Sequence, residues 1–203
     1  MHETPGVDVS RETIARLEHY VALLKKWNPR INLVSRSTLA DAWERHVRDS
    51  LQILSLAPAG WKTWADLGSG GGFPGLVIAI AALELNPGAR VILVESDQRK
   101  CAFLRTVIRE TGANAEAIAR RIEDVQPIGA NVVSARALAD LSTLLEFAER
   151  HGGEGCVALF PKGATWKKEL TEAQQEWEFS CARYKSETEE KSVILRIEGV
   201  ARV

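Results

Sequence analysis

A chain of 203 residues, 45 % hydrophobic and 26 % charged, can build one domain with a full core. That composition excludes a disordered tail, a collagen-like chain and a disulfide-stapled miniprotein. No apolar run approaches the roughly 20 residues of a membrane span, Met1–Pro5 carry no secretory signal, and a formal charge of −1 argues against an indiscriminate polyanion binder.

In chain order, residues 10–27 read as an amphipathic helix. Ser10 can cap it, Ile14, Leu17, Val21 and Leu24 recur at helical spacing, and Asn28-Pro29 is expected to end it. A second helix is expected from Ser37 or Thr38, with Leu39, Trp43, Val47, Leu51 and Leu54 on one face, until Pro58-Ala59-Gly60. Alternation then sets in. Strands are expected at Thr63–Leu67, Val91–Val94, Ala115–Ala119, Val132–Ala135 and Cys156–Phe160. Helices are expected at Leu76–Leu85, Arg99–Glu110 and Leu138–Arg150. Such spacing implies a mostly parallel sheet with right-handed crossovers. Trp177–Lys185 and Ser192–Glu198, joined by the polar turn Glu187–Lys191, read as an antiparallel pair at the sheet edge. The expected organisation is an N-terminal helical cap (1–60) on an α/β, Rossmann-like domain (61–203), forming one compact unit.

Charge is unevenly spread. Lys25 to Arg48 holds six basic residues against two acids, whereas Glu169 to Glu190 holds seven acids against two bases. One end can face phosphate and the other cannot. Cys101, Cys156 and Cys181 are far apart and form no C-x-x-C or His/Cys cluster. Neutral thiols in a reducing cytoplasm are expected, with no metal site.

The most informative stretch is Asp66-Leu67-Gly68-Ser69-Gly70-Gly71-Gly72-Phe73-Pro74-Gly75, which leaves a strand and enters a helix. Glycines there let the backbone turn sharply and approach a ligand, and the helix N-terminus adds amide donors. A G-x-G loop alone serves several nucleotide cofactors. Asp66, two residues before Gly68, suits a cofactor with an ammonium group better than a pyrophosphate, and Phe73 stands where a dinucleotide site has its third glycine. No G-x-x-x-x-G-K-[ST] is present. Asp-x-Gly-x-Gly-x-Gly after a first strand is the pattern of S-adenosylmethionine-dependent methyltransferases, with Gly68 and Gly70 as expected contacts. Glu95, ending the second strand, can accept from both ribose hydroxyls; a helix-capping acid is the competing role. After the third strand, a carboxylate in Arg121-Ile122-Glu123-Asp124 can accept from an adenine amine while Ile122 packs on the ring, or the segment is a solvated turn.

The exit of the fourth strand reads Ser134-Ala135-Arg136-Ala137, without the N/D-P-P-aromatic loop typical of exocyclic-amine methylation. No cysteine occupies a strand-four or strand-five exit, where a pyrimidine-C5 nucleophile would be needed. The remaining class has an acceptor with its lone pair free, such as guanine N7, and needs alignment rather than deprotonation. Arg136 can hold a cofactor carboxylate, hold a substrate phosphate, or sit on the surface.

Trp27-Asn28-x-x-x-Asn32-Leu33, Arg45-His46-x-x-Asp49-Ser50, Asp66–Gly75, Leu93-x-Glu95-Ser96, Phe103-Leu104, Arg136-Ala137 and Lys162-Gly163 together resemble one family. It is that of the bacterial small-subunit rRNA guanine-N7 methyltransferases (RsmG, or glucose-inhibited division protein B). The resemblance covers nearly the whole chain. It implies methyl transfer from S-adenosylmethionine to N7 of a guanosine in the decoding-region hairpin of 16S rRNA, leaving S-adenosylhomocysteine. It implies cofactor contacts from Gly68, Phe73, Ile122, Glu123 and Arg136. Glu95 departs from the family's usual aspartate.

On a regular helix, Arg45 and Asp49 would form an i,i+4 ion pair, and His46 and Ser50 a matching pair; the resemblance instead puts this face at the active-site border. RNA contacts or an active-site rim are expected from Arg45, His46, Arg48 and Lys162, with no general base needed, since N7 carries no proton. The expected partner is 16S rRNA, free or in the small subunit, with no membrane and no obligate protein partner. The target base should be looped or splayed out, because N7 is inaccessible in regular A-form RNA. Competing readings are a methyltransferase acting on a small molecule or protein, a nicotinamide-dependent oxidoreductase, and a non-catalytic RNA-binding module.

Overall fold

The computed structural model describes residues 7–203. Met1–Gly6, including the stretch read as lacking a secretory signal, lie outside the described residues.

Ser10 caps α1 (Arg11–Ile31) by accepting from the Thr13 amide. The helix runs past Pro29, one turn beyond the expected stop. Pro29 lacks an amide donor, but the ending is carried by Asn28 and Asn32 instead. Asn32 adopts a left-handed conformation (φ 48°) and donates to the Asn28 carbonyl, while Asn28 Oδ1 accepts from the Val34 amide.

The expected second helix is broken in three. A short α2 (Arg36–Leu39) and a π-helical turn (Trp43–Arg48) precede α3 (Asp49–Ser55). The π-turn inserts extra backbone and redirects the Arg45-to-Asp49 segment, as such bulges commonly do near functional sites.

The alternating region follows the expected order: β1 (Thr63–Leu67), α4 (Gly75–Leu85), β2 (Arg90–Val94), α5 (Gln98–Thr111), β3 (Ala115–Ile118) and β4 (Ala130–Ala135). Next come α6 (Leu141–His151) and β5 (Gly152–Lys162). Asp140 caps α6 by accepting from the Thr143 amide, so the helix starts three residues later than expected. A further helix that is not among those expected, α7 (Trp166–Ala173), precedes β6 (Trp177–Lys185) and β7 (Val193–Arg202).

The strands form one sheet in the order β3-β2-β1-β4-β5-β7-β6. The first five are parallel, and β7 is antiparallel to both neighbours. Each face has its own core. Leu17, Leu24, Ile53 and Phe103, from α1, α3 and α5, pack on one face with Trp64. Leu141, Leu144 and Trp177 pack on the other with Leu67 and Phe160. Alternation along β1 sends Trp64 to the first core and Ala65 to the second.

Strand order reverses between β1 and β4, since β2 lies to one side of β1 and β4 to the other. The crevice beyond the carboxyl ends of this pair is where doubly wound sheets bind ligands. The glycine loop leaves β1 there, and Arg136 leaves β4 there. Among the described residues no helix is long and apolar enough to cross a membrane.

Candidate functional site

A buried polar chain fixes the two strands at the crevice. Trp64 Nε1 donates to Ser134 Oγ (2.8 Å), and Ser134 Oγ donates to Asp66 Oδ1 (2.7 Å). Asp66 Oδ2 accepts from the Gly75 amide (3.3 Å). Asp66 is thus a buried buttress of the loop. Burial raises its pKa to about 6, against the lowering effect of Ser134.

The loop is also tied from outside. Glu95 Oε2 accepts from the Gly70 amide (2.9 Å), and Oε1 from the Asp97 amide (2.8 Å). Each carboxylate oxygen keeps a further lone pair for another donor. Tyr20 donates to the Gly71 carbonyl (2.5 Å) and stacks on Phe73 at 5.1 Å. Tyr20 is a contributor that sequence reasoning missed, because within the Leu17–Leu24 stripe it reads only as core. Tyr20→Phe leaves that buried carbonyl without its donor, and a loss of about 1–3 kcal/mol is expected in urea denaturation.

Gly68 (φ +66°) adopts a conformation that favours glycine, and a Cβ there would lie 2.6 Å from Leu138 Cδ1. Two cavities meet at this point, sharing Gly68, Gly70, Arg136 and Ala137. One, of about 540 Å³, runs past Glu95, Ile122 and Glu123. The other, of about 460 Å³, runs past Phe73, Arg45, His46, Asp49 and Lys162. The structure therefore places Glu95, Ile122 and Glu123 on the first cavity, Phe73 on the second, and Gly68, Gly70 and Arg136 on both. His151 and Arg150 hold the Ile122–Asp124 turn in place through its backbone carbonyls.

Four rim residues were expected, and they separate. Arg45 and His46 line the second cavity; Arg48 does not. Arg48 is half exposed and pairs with Glu44 at 2.7 Å and Glu187 at 3.8 Å. Lys162 lines the cavity, but its ammonium is turned inward, onto Glu169 (2.5 Å) and the Ala139 carbonyl (2.9 Å). That cation anchors the loop bearing Arg136, so Lys162 stands at the rim of the cavity with its charge spent on the protein's own groups.

The Arg45–Asp49 ion pair expected of a regular helix does not form. Arg45 reaches Glu189 (3.5 Å), whereas Asp49 faces Arg136 (3.4 Å) and accepts from Thr188 Oγ1 (3.1 Å). The expected separation of basic and acidic ends fails with it. The β6–β7 turn folds back so that Glu187 and Glu189 meet Arg48 and Arg45. Lys25, Lys26, Arg30 and Arg36 remain exposed around the end of α1.

Phe73 is enclosed by aromatic and cationic groups: Tyr20, His46 at 4.8 Å, and the Arg136 guanidinium 5.3 Å from its centroid. His46 Nε2 lies 3.0 Å from Thr38 Oγ1, and Ser50 Oγ donates to the His46 carbonyl rather than to its ring. Burial, reinforced by Arg136 and Arg45, lowers the His46 pKa to about 4. The imidazole is neutral at neutral pH.

Folding therefore depends on pH at this site. His46 contributes stability above about pH 6.5 that is lost as pH falls toward 4. Asp66, with a raised pKa, contributes stability present below 3.8 and lost as pH rises through about 6. The two oppose each other over one window. Relative to the unmodified protein, His46→Asn should gain stability on going from pH 6.5 to 4, by at most about 3 kcal/mol. Urea midpoints across that range check this; a constant difference contradicts it.

All three cysteines are free, and burial raises each thiol pKa. Among the described residues no group of three or more His, Cys, Asp or Glu is placed to hold a metal ion.

The chain is similar to known proteins over its whole length. It is 55 % identical to the ribosomal RNA small subunit methyltransferase G of Ruegeria pomeroyi, over 97 % of this chain and 96 % of the relative. It is 48 % identical to the enzyme of that name from Rhizobium etli, over 99 % of both. Solved structures share the fold at low identity. A TehB-like SAM-dependent methyltransferase from Corynebacterium glutamicum gives a TM-score of 0.60 at 15 % identity, covering 91 % of this chain and all of that one. An O-methyltransferase from Bacillus cereus in complex with SAH gives 0.58 at 13 % identity, covering 95 % and 93 %. The GidB family model, described as rRNA small subunit methyltransferase G, matches residues 13–194, and the chain belongs to that family.

Proposed function

We propose that this protein transfers a methyl group from S-adenosylmethionine to N7 of a guanosine in the decoding-region hairpin of 16S rRNA, in the cytoplasm. The observation that carries this reading is the meeting of two cavities at Gly68, Gly70 and Arg136, on the crevice where strand order reverses, in a chain of this family.

The residues present fit the methyl donor. Gly70 lines both cavities, and a Cβ there would meet nothing nearer than the Gly68 carbonyl at 3.8 Å, so backbone faces open space where a ligand can approach. Glu95 retains acceptor capacity for ribose hydroxyls, and Ile122 and Glu123 border the same cavity for the adenine. Arg136 supplies a cation for the amino-acid carboxylate. When bound, S-adenosylmethionine would supply an electrophilic methyl on a sulfonium, whose S–CH3 bond breaks to leave S-adenosylhomocysteine as the bond to N7 forms.

The protein's own groups align the reactants. Phe73, held by Tyr20 and His46, gives an apolar wall between the loop and the second cavity. His46 stays neutral and takes no proton, consistent with an acceptor that has none to lose. Lys25, Lys26, Arg30 and Arg36, exposed around the end of α1, are available to RNA phosphates.

Labelled S-adenosylmethionine, incubated with intact small subunits, naked 16S rRNA or tRNA, tests the reading. Label is expected in ribosomal RNA, with strand scission at one guanosine after borohydride reduction and aniline treatment. No label in either ribosomal substrate rejects the proposal. Label elsewhere than guanine N7 rejects the chemistry.

A further inference from the structure

The geometry points to Asp49 as a positioning residue, one that holds the Arg136 guanidinium at the angle from which it meets the carboxylate of the methyl donor. This rests on the proposed role of Arg136.

Arginine has a long, rotatable side chain, and one left free at a crevice mouth would have to be ordered whenever a ligand arrives. Arg136 is not left free. One contact is the Phe73 ring, 5.3 Å from the guanidinium carbon. The other is Asp49 Oδ2, 3.4 Å from Nη1. The two come from different segments, the glycine loop and the start of α3, so together they fix the guanidinium in direction as well as place. Asp49 engages one of five N–H donors, and the rest of the fork stays available for a ligand.

Asp49 is itself held. Its side chain is only 12 % exposed, and its other oxygen accepts from Thr188 Oγ1 at 3.1 Å. It stands at the C-terminal cap of the π-turn, not in an i,i+4 pair with Arg45. A carboxylate this buried is costly without a cation, and Arg136 is the cation it faces. Three distant segments thus converge on one side chain: the π-turn, the β4 exit and the β6–β7 turn.

The test compares two ligands by titration calorimetry. S-adenosylhomocysteine carries the carboxylate; its decarboxylated analogue keeps the ammonium and lacks only that group. Asp49→Asn should weaken S-adenosylhomocysteine about tenfold and the analogue less than twofold, and Asp49→Glu should recover part of the loss. Equal weakening of both ligands would mean a general packing role, and no change or tighter binding would make Asp49 a bystander or a competitor; each overturns the inference. Thr188→Val, at a partly exposed turn, guards against a misfolded Asp49→Asn and should show the same selectivity at twofold to fivefold. Circular dichroism checks the fold of each variant. Arg136→Ala separates the two ideas. It should abolish the preference for the carboxylate, and a preserved preference would reject the role of Arg136 itself. Preference abolished by Arg136→Ala but untouched by Asp49→Asn and Thr188→Val would reject the positioning inference alone.

Discussion

Gly68→Asp is expected to abolish binding of S-adenosylmethionine while the fold survives. The position has φ +66°, a conformation that costs a non-glycine residue about 1–2 kcal/mol. The new Cβ would meet Leu138 Cδ1 at 2.6 Å, but that is the end of a partly exposed side chain that can turn away. Against a typical domain stability of about 5–15 kcal/mol these costs leave a folded protein, with melting lowered by roughly 2–8 °C. The ligand has no such freedom. Gly68 lines both cavities, and an aspartate side chain there adds bulk beside Leu138 on the wall of the first. The carboxylate adds charge beside a loop already braced by two acids, Asp66 and Glu95. Calorimetry should detect no binding at a hundred times the ordinary Kd. Gly68→Ala separates bulk from charge and should keep measurable, about tenfold weaker, binding. Ordinary affinity in Gly68→Asp would put the cofactor in a different place.

Much of this site was legible because it is local. The strand–loop–helix at Asp66–Gly75 and the acid ending β2 carry their geometry in adjacent residues, and the apolar strands around them fix their placement in a parallel sheet. What escaped was non-local or depended on helix type. Leu39, Trp43, Val47 and Leu51 are spaced by fours, which on an α-helix drifts by about 40° per step. A wider π-turn takes up that drift, so the spacing held a signal that a uniform 3.6-residue reading passed over. Pro29 was read as a stop, but in the last turn Asn28 and Asn32 supply the termination. The meeting of Arg45 and Arg48 with Glu189 and Glu187 joins residues some 140 positions apart through a hairpin, and no segmental charge count contains it. Trp64 and Ser134 looked like ordinary strand residues, because their hydrogen bond crosses from β1 to β4.

Arg136→Ala is expected to lower kcat/KM by at least a hundredfold with the fold intact. The residue lies at the strand-order reversal, lines both cavities and is mostly buried, so its cation acts where water screens poorly. Hydrogen bonds to charged groups contribute about 1.5–3 kcal/mol each, and one such loss already costs roughly tenfold to 150-fold. The variant loses more than one. The ligand carboxylate loses its cation, Asp49 keeps Thr188 but loses the cation it faces, and Phe73 loses the charge over its face. Arg136→Lys keeps the charge but not the planar fork, and should fall between the two. A second readout is independent of turnover. Arg136 helps to hold the His46 pKa down, so the imidazole should titrate above its present value of about 4 in Arg136→Ala, visible by NMR. Asp66 moves in the same direction, because Arg136 also lowers its pKa. Unchanged turnover with a raised His46 pKa would mean that Arg136 shapes the electrostatics of the crevice without contributing to methyl transfer. Lost turnover with both shifts present is the outcome that ties the cation at the β4 exit to the reaction.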